Sequence, residues 1–439
     1  MKILKFGGTS VGKPERMQSV ARIITADPGQ KIVVLSALSG TTNALVAIGE
    51  KLFAKDKQGA KSAIEELYDH YLDFHKQLLK KGESIKSARE VIDFHFDWLR
   101  GLLEKNFTET LNKETLAQGE LLSTKLFDIY LKETGVNATL LPALEFMRID
   151  ENSEPDIDFL RKNLKTMLDS NPGYDIYVTQ GYICRNHKGE ADNLKRGGSD
   201  YTATLIGAAI KADEVQIWTD IDGMHNNDPR IVEKTYPIRE LSFNEAAELA
   251  YFGAKILHPL SIWPVQQYDV PVRLLNTLDP SAPGTYISHD EKEANVKAIA
   301  AKDGITAIRI KSSRMLLAYG FLRKVFEIFE KYRTPIDMIT TSEVAVSLTI
   351  DDDSHLAEIT REMEKYGAVT VDRDQTIVCI AGNLIAYSRG IVRKIFEALE
   401  PFPIRMISYG GSRYNISILI ESKYKKDVLI MLNKVLFNL

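Results

Sequence analysis

The stretch KIVVLSA, Lys31 to Ala37, is an unbroken β-branched run that passes straight into SALSGTTN. A run of this kind fits a strand buried on both faces, which calls for a sheet covered by helices on either side. The chain opens on the same plan. Ile3 to Phe6 is apolar, a glycine loop follows, and Met17, Val20, Ala21 and Ile24 recur at helical spacing behind Pro14, which is placed to start a helix. DIYVTQGY (Asp175 to Tyr182), VQIWTD (Val215 to Asp220) and PVRLLN (Pro271 to Asn276) read as further strands. Helices lie between them, one beginning near Ser199 and one with a capping box from Ser242 to Glu245. Alternation of this sort predicts an α/β fold, a mainly parallel sheet with helices on both faces, whose ligands gather at the carboxyl ends of the strands.

Two segments interrupt that rhythm. Apolar positions from Ile64 to Leu79 and from Val91 to Leu103, with Gly82 between, predict a pair of amphipathic helices inserted at about 60–110. From Pro280 to Asn295 the sequence turns to Pro, Gly and charge, the expected linker into a second part. That part repeats itself. YGFLRKVFEIFE (Tyr319 to Glu330) aligns with RGIVRKIFEALE (Arg389 to Glu400), and the flanking strands AIRI and TIVCI, then VAVSLTI and YNISILI, align as well. The copies predict two small α+β modules, about 305–376 and 377–439, with the first strand of the region (296 onward) available to complete the second. Modules of this kind bind small molecules or dimerise, and they carry no cluster of acid, base and nucleophile.

A chain of 439 residues suits two or three domains. With a net charge of -4 there is no basic excess for nucleic acid. Cys184 and Cys379 stand far apart without metal-binding spacing, which predicts two buried thiols. No signal-peptide pattern or membrane-length apolar run occurs, so a cytoplasmic protein is expected.

The stretch GGTSVGKP, Gly7 to Pro14, falls one residue short of a phosphate-binding P-loop, with Asp220 as the second element of such a site. Pro14 occupies the position of the metal-binding hydroxyl and has neither a hydroxyl nor an N–H, which counts against that reading. What survives is Lys5 at a strand end with Gly7 and Gly8 behind it, an ammonium and bare backbone converging on one point, suited to an anionic transition state. SALSGTTN offers Ser36, Ser39, Thr41 and Thr42 to a carboxylate or phosphate, or forms a simple turn. AQGELLSTKLF sets Glu120 at the head of a helical pattern, where it serves a ligand or merely complements the helix dipole. In LKRGGSDYTA, Arg196, two glycines, Ser199 and Asp200 at a helix start form an anion-binding combination. WTDIDGMHNNDPR adds Thr219, Asp220 and Arg230, and FGAKILHP sets Lys255 beside a glycine.

Taken together, KFGGTS, the S-x-x-G-x-T-N loop, GE, RGGSDYTA, WTD-x-x-G, DPR, FGAK-x-LHP and the tandem repeat with TTSEV resemble the aspartokinases of the amino acid kinase superfamily along essentially the whole chain. The resemblance implies an amino acid kinase domain over 1–290 and a regulatory region over 296–439 of two ferredoxin-like ACT modules. It implies MgATP-dependent phosphorylation of the side-chain carboxylate of L-aspartate, the first step of lysine, threonine and methionine biosynthesis. Mg²⁺ would travel on the nucleotide, without a protein metal cage or a tightly bound organic cofactor. Lys5, Asp200 and Lys255 would be the catalytic groups. Arg196, helped by Thr42 and Ser199, would hold the substrate α-carboxylate and Glu120 its ammonium, with Ser36 a further substrate-binding residue. ATP would meet Lys5, Gly7, Gly8, Thr219, Asp220, His225, Arg230, Lys255 and Ile256. His225 departs from the tyrosine common in the family. Met315, Phe321, Leu322, Asp337, Ser342 and Glu343 would surround an effector amino acid, lysine by this pattern, although Leu317 and Ala318 replace the polar groups of lysine-sensing relatives. The modules would join chains into a homodimer or tetramer. Two other readings remain: a kinase for another small carboxylate, and a non-catalytic amino acid sensor.

Overall fold

The computed structural model describes residues 1–194, 197–253, 257–290, 295–312, 319–383 and 385–439. It divides into two compact units. One comprises residues 1–224 and 257–289, the other residues 225–253 and 290–439. In this division the stretch 225–253 groups with the C-terminal region.

In the first unit the sheet runs in the order Ala138–Leu141, Ile176–Gln180, Lys31–Leu35, Lys2–Phe6, Glu214–Thr219, Val272–Asn276 and Thr285–Ser288. Neighbours are parallel up to Val272–Asn276, and Thr285–Ser288 returns antiparallel. Every residue of Lys31–Leu35 and Ile176–Gln180 is buried, as an apolar run covered on both faces requires. Thr285–Ser288 lies inside the stretch expected to be a linker; three of its four residues, Thr285, Tyr286 and Ile287, pair with Leu274, Arg273 and Val272, extending the sheet beyond the Pro/Gly signal.

Pro14 opens the helix Pro14–Ala26, and Lys13 just ahead of it is exposed, so the near-P-loop lysine is a solvated side chain. The far end of this helix is closed by Lys31, whose buried ammonium donates to the carbonyls of Ile24 (2.9 Å) and Asp27. Burial pulls the Lys31 pKa down, and the helix's negative end compensates the trapped charge.

The inserted helices are Lys57–Leu78 and Gly82–Gly101, longer than their apolar spacing suggested because their first turns are polar. They bury Ile64, Tyr71, Phe74, Ile92, Phe96 and Leu99 in the same core as the sheet residues Leu4, Phe6, Val33 and Leu35. His95 is buried among them with Nδ1 2.6 Å from Gln118 Oε1, and desolvation lowers its pKa to about 4.

The second unit holds an antiparallel sheet ordered Ile339–Thr341, Ala345–Ile350, Asn295–Lys311, Ala368–Asn383, Asn415–Glu421 and Met406–Ser408. Two strands are long enough to serve both halves. Thr306 to Lys311 pairs with Ala345–Ile350, whereas Asn295 to Lys302 pairs with Ile377 to Asn383 in the other half. Helices Phe321–Lys331 and Leu356–Met363 cover one core, and Ile391–Leu399 and Lys425–Phe437 the other. The aligned glycines Gly320 and Gly390 each precede a helix at φ +80°, a left-handed geometry that explains the residue type in both copies. Cys184 and Cys379 are buried free thiols. Among the described residues no helix is long and apolar enough to cross a membrane.

His95 sets an acid limit on stability. Its folded pKa is depressed to about 4, below the value near 6.5 of an unfolded chain, so its contribution is complete above about pH 6.5 and is lost as pH falls towards 4. The expected result is a Tm that drops across this window, by the equivalent of about 3 kcal/mol, and a shallower drop in His95→Gln. Equal slopes in the two proteins would remove His95 from the account.

Candidate active site

Lys5 sits on the central strand of the first unit, flanked in register by Val34 and Ile217. Its side chain is 11% exposed, and its ammonium pairs with Asp200 at 2.6 Å. Asp200 is supplied by the first turn of Gly198–Ile210, where the helix's positive end also favours a carboxylate. Gly197 starts that helix at φ +89°.

The two glycines after the strand sit in close approach, and neither has a left-handed backbone. A Cβ on Gly7 would lie 3.3 Å from Lys5 Nζ, and one on Gly8 3.1 Å from the carbonyl of Ala37. Gly7 has an ordinary extended conformation. Absence of side chains thus keeps one side of the ammonium clear for an anion.

Ser36 follows the second strand and its hydroxyl donates to Ser199 Oγ at 2.9 Å, tying that strand end to the helix that bears Asp200. The remaining hydroxyls of the loop divide their work. Thr41 is buried and bonded to Tyr71 OH at 3.1 Å, a packing role, whereas Thr42 and Ser39 are exposed. Gly40, at φ +85°, turns the chain into the helix Thr41–Phe53.

Glu120 does not head a helix. It lies in the middle of the 25-residue helix Glu109–Glu133, buried, with its Oε1 accepting from the Ala37 N–H at 3.3 Å and its Oε2 unpartnered. The dipole explanation therefore fails. The helix begins at Thr108, whose hydroxyl accepts from the Leu111 N–H, and its first half is too polar for apolar spacing to mark it. Burial raises the Glu120 pKa to about 8, against the lowering effect of the Ala37 N–H. Gly119 beside it is dictated by packing, since a Cβ there would meet Ala37 Cβ at 2.8 Å.

Sequence reasoning passed over Tyr182. It adopts φ +66°, uncommon for a non-glycine residue, one glycine beyond the strand Ile176–Gln180, and its N–H donates to Thr202 Oγ1 at 2.9 Å. Burial and the nearby Glu120 carboxylate raise its phenol to about 12. The signal was present in QGY: a glycine and an aromatic at a buried strand's carboxyl end.

Thr219 ends its strand and its carbonyl accepts from the Thr277 N–H and hydroxyl, each at 2.8 Å, while Asp220 is exposed in the following turn. Phe6 and Trp218 stack behind this strand end at 5.7 Å. His225 and Arg230 belong to the second unit. There His225 Nδ1 lies 3.0 Å from Thr235 Oγ1, and Arg230 forks onto Asp228 at 2.9 and 2.7 Å. Arg196, Lys255, Ile256 and Met315 lie outside the described residues.

Of the effector candidates, Phe321 is buried, and Leu322, Ser342 and Glu343 are exposed. Asp337 is engaged within its own unit, 2.7 Å from Lys302 Nζ and 3.2 Å from Tyr251 OH. Burial raises its pKa, against the pull of Lys302.

The first unit thus gathers a neutralised cation with open backbone at one strand end, a serine pair, and a buried carboxyl with an unused oxygen. That combination can take an anion and a cation of one small ligand. Comparison with known proteins agrees. Residues 1–276 match the amino acid kinase family and residues 378–436 the ACT domain. The chain is 35% identical to the lysine-sensitive aspartokinase 3 of Escherichia coli, over 99% of both chains. It is similar in structure to Escherichia coli aspartokinase III in complex with aspartate and ADP (R-state), with TM-score 0.87, 33% identity and all of both chains covered. The lysine and aspartate complex of that enzyme (T-state) gives TM-score 0.81 at 33% identity, covering 100% of this chain and 99% of that one.

Gly181 tests how tightly this site is built. A Cβ there would lie 2.4 Å from Ser199 Oγ and 2.8 Å from Ser199 Cα, so the start of the Asp200 helix would have to move. Gly181→Ala is expected to cost about 1–3 kcal/mol in denaturant unfolding and to lower turnover with it. A variant as stable and active as the parent would mean the contact is slack.

Proposed function

The chain belongs to the aspartokinases of the amino acid kinase family, and with that as premise we propose how its own residues phosphorylate the side-chain carboxylate of aspartate. One carboxylate oxygen attacks the γ-phosphorus of ATP. A new O–P bond forms, the bond to the β-phosphate oxygen breaks, and 4-phospho-L-aspartate and ADP result. The attacking group is already an anion, so the protein's task is to position and to neutralise spreading charge.

Lys5 stabilises the transferring phosphoryl group from the side that Gly7 leaves open, and Gly8 follows it in the chain. Asp200 holds Lys5 in place. Lys255 and Ile256 meet the nucleotide, with Thr219, Asp220, His225 and Arg230 as its further contacts and Mg²⁺ carried on the phosphates. Arg196, Thr42, Ser36 and Ser199 take the α-carboxylate, and Glu120 takes the ammonium. Glu120 carries the reading: a buried carboxyl with one unpartnered oxygen suits a cation that arrives with the ligand. A site for phosphate alone has no use for it.

Lysine is the feedback effector in this reading. It binds in the ACT region near Phe321, Leu322, Asp337, Ser342, Glu343 and Met315, and those modules join chains into a homodimer or larger assembly. The kinase part extends over 1–290 and the two modules over 305–376 and 377–439, in a cytoplasmic enzyme.

Incubation with MgATP and L-aspartate, trapping acyl phosphate with hydroxylamine, tests the reaction. Hydroxamate from aspartate and its suppression by lysine, with threonine and methionine inert, are expected. No hydroxamate under any effector condition refutes the activity, and turnover of glutamate or carbamate instead points to a different carboxylate. The pH profile tests Glu120 separately. Its pKa near 8 in the free enzyme means that a proton must leave before the ammonium can bind at pH 7. KM for aspartate should therefore fall about tenfold for each pH unit up to that value and level off above it. Glu120→Gln should show a high KM without this slope; a parallel slope in the variant would assign the proton elsewhere.

A further inference from the structure

The segment after the WTD strand forms a closed loop within the second unit. His225 and Pro237 bridge its ends, the Asn226 N–H donates to the Tyr236 carbonyl at 3.0 Å, and the Tyr236 N–H donates to Asn226 Oδ1 at 2.8 Å. Arg230 stands on the exposed part of the loop, paired with Asp228. The base is different in character. Asn226, Asn227 and Asn433 are all buried, and Asn433 comes from the C-terminal helix Lys425–Phe437.

Asn433 Oδ1 accepts from Asn226 Nδ2 at 3.0 Å and from Asn227 Nδ2 at 3.3 Å, and Asn433 Nδ2 donates to the Lys234 carbonyl at 3.0 Å. Asn227 Nδ2 also reaches the Leu429 carbonyl at 3.2 Å, and the Ile299 N–H donates to the Asn226 carbonyl at 2.8 Å. Val232 packs into the apolar core of Ile299, Val428, Leu429 and Leu432. One amide side chain therefore ties both limbs of the loop. A buried network with each of these contacts made holds a single geometry, because any shift strands a polar group away from water.

We propose that Asn433, remote in sequence from every kinase motif, is a positioning residue for nucleotide binding: it fixes from the second module's last helix the loop that presents His225 and Arg230. The inference rests on the reading that His225 and Arg230 contact ATP. It gives the second module a part in catalysis besides any binding of effector.

Three variants of the full chain test it by steady-state kinetics without effector. Asn433→Leu keeps volume but removes every amide contact, and is expected to raise KM for ATP about fivefold or more with KM for aspartate within about twofold. Leu432→Ala, next to it in the same helix and buried in the same core, controls for loss of stability and should leave KM for ATP within about twofold. Arg230→Ala should raise KM for ATP. If Arg230→Ala raises it and Asn433→Leu does not, or if Leu432→Ala raises it equally, the positioning role is wrong while the nucleotide reading stands. If Arg230→Ala has no effect, the nucleotide reading fails and this inference with it.

Discussion

The ion pair between Lys5 and Asp200 is the contact on which the rest of the site depends. A lysine on a central strand, between two parallel neighbours, needs a counter-charge, and a helix N-terminus is where a carboxylate is most easily held. Much follows from that requirement. The helix must begin where the strand ends, which Gly197 permits at φ +89°; Gly181 and Gly198 must lack side chains to let Ser199 and Tyr182 pack closely; and Ser36 ties the next strand to the same turn. Gly181, Gly197 and Gly198 in this sense serve the helix start that bears Asp200.

Much of this was legible in the sequence, for identifiable reasons. Strands buried on both faces announce themselves as unbroken β-branched runs, and Pro14 marked a helix start that left Lys13 in solvent. Lys5 and Asp200 were legible because each stands beside glycines at the end of a periodic element. The capping box from Ser242 to Glu245 is present with both of its hydrogen bonds. The tandem repeat was legible down to its helix-starting glycines.

Other features left weaker traces. Glu120 was assigned to a helix end because Glu109 to Gln118 carries too little apolar spacing to mark the preceding turns. Tyr182 was read as the last residue of a strand, and only its backbone shows that the strand has already stopped at Gln180. The asparagines at 226, 227 and 433 could not be read together at all, since two of them are separated from the third by some 200 residues. Polar pairing across such distances has no periodicity. Among the described residues, the first unit supplies Lys5, Asp200, Ser36, Ser199 and Glu120, whereas His225 and Arg230 stand on the second.

The central claim is that Lys5 and Asp200 act as one unit on the transferring phosphoryl group. The most direct measurement is kcat with MgATP and L-aspartate for Lys5→Ala, Asp200→Ala and the double variant, with folding checked by circular dichroism. The account predicts that each single variant loses at least about a hundredfold and that the double variant is hardly worse than the poorer single one, as for groups that function together. Losses that multiply, or activity that survives both substitutions, would contradict it.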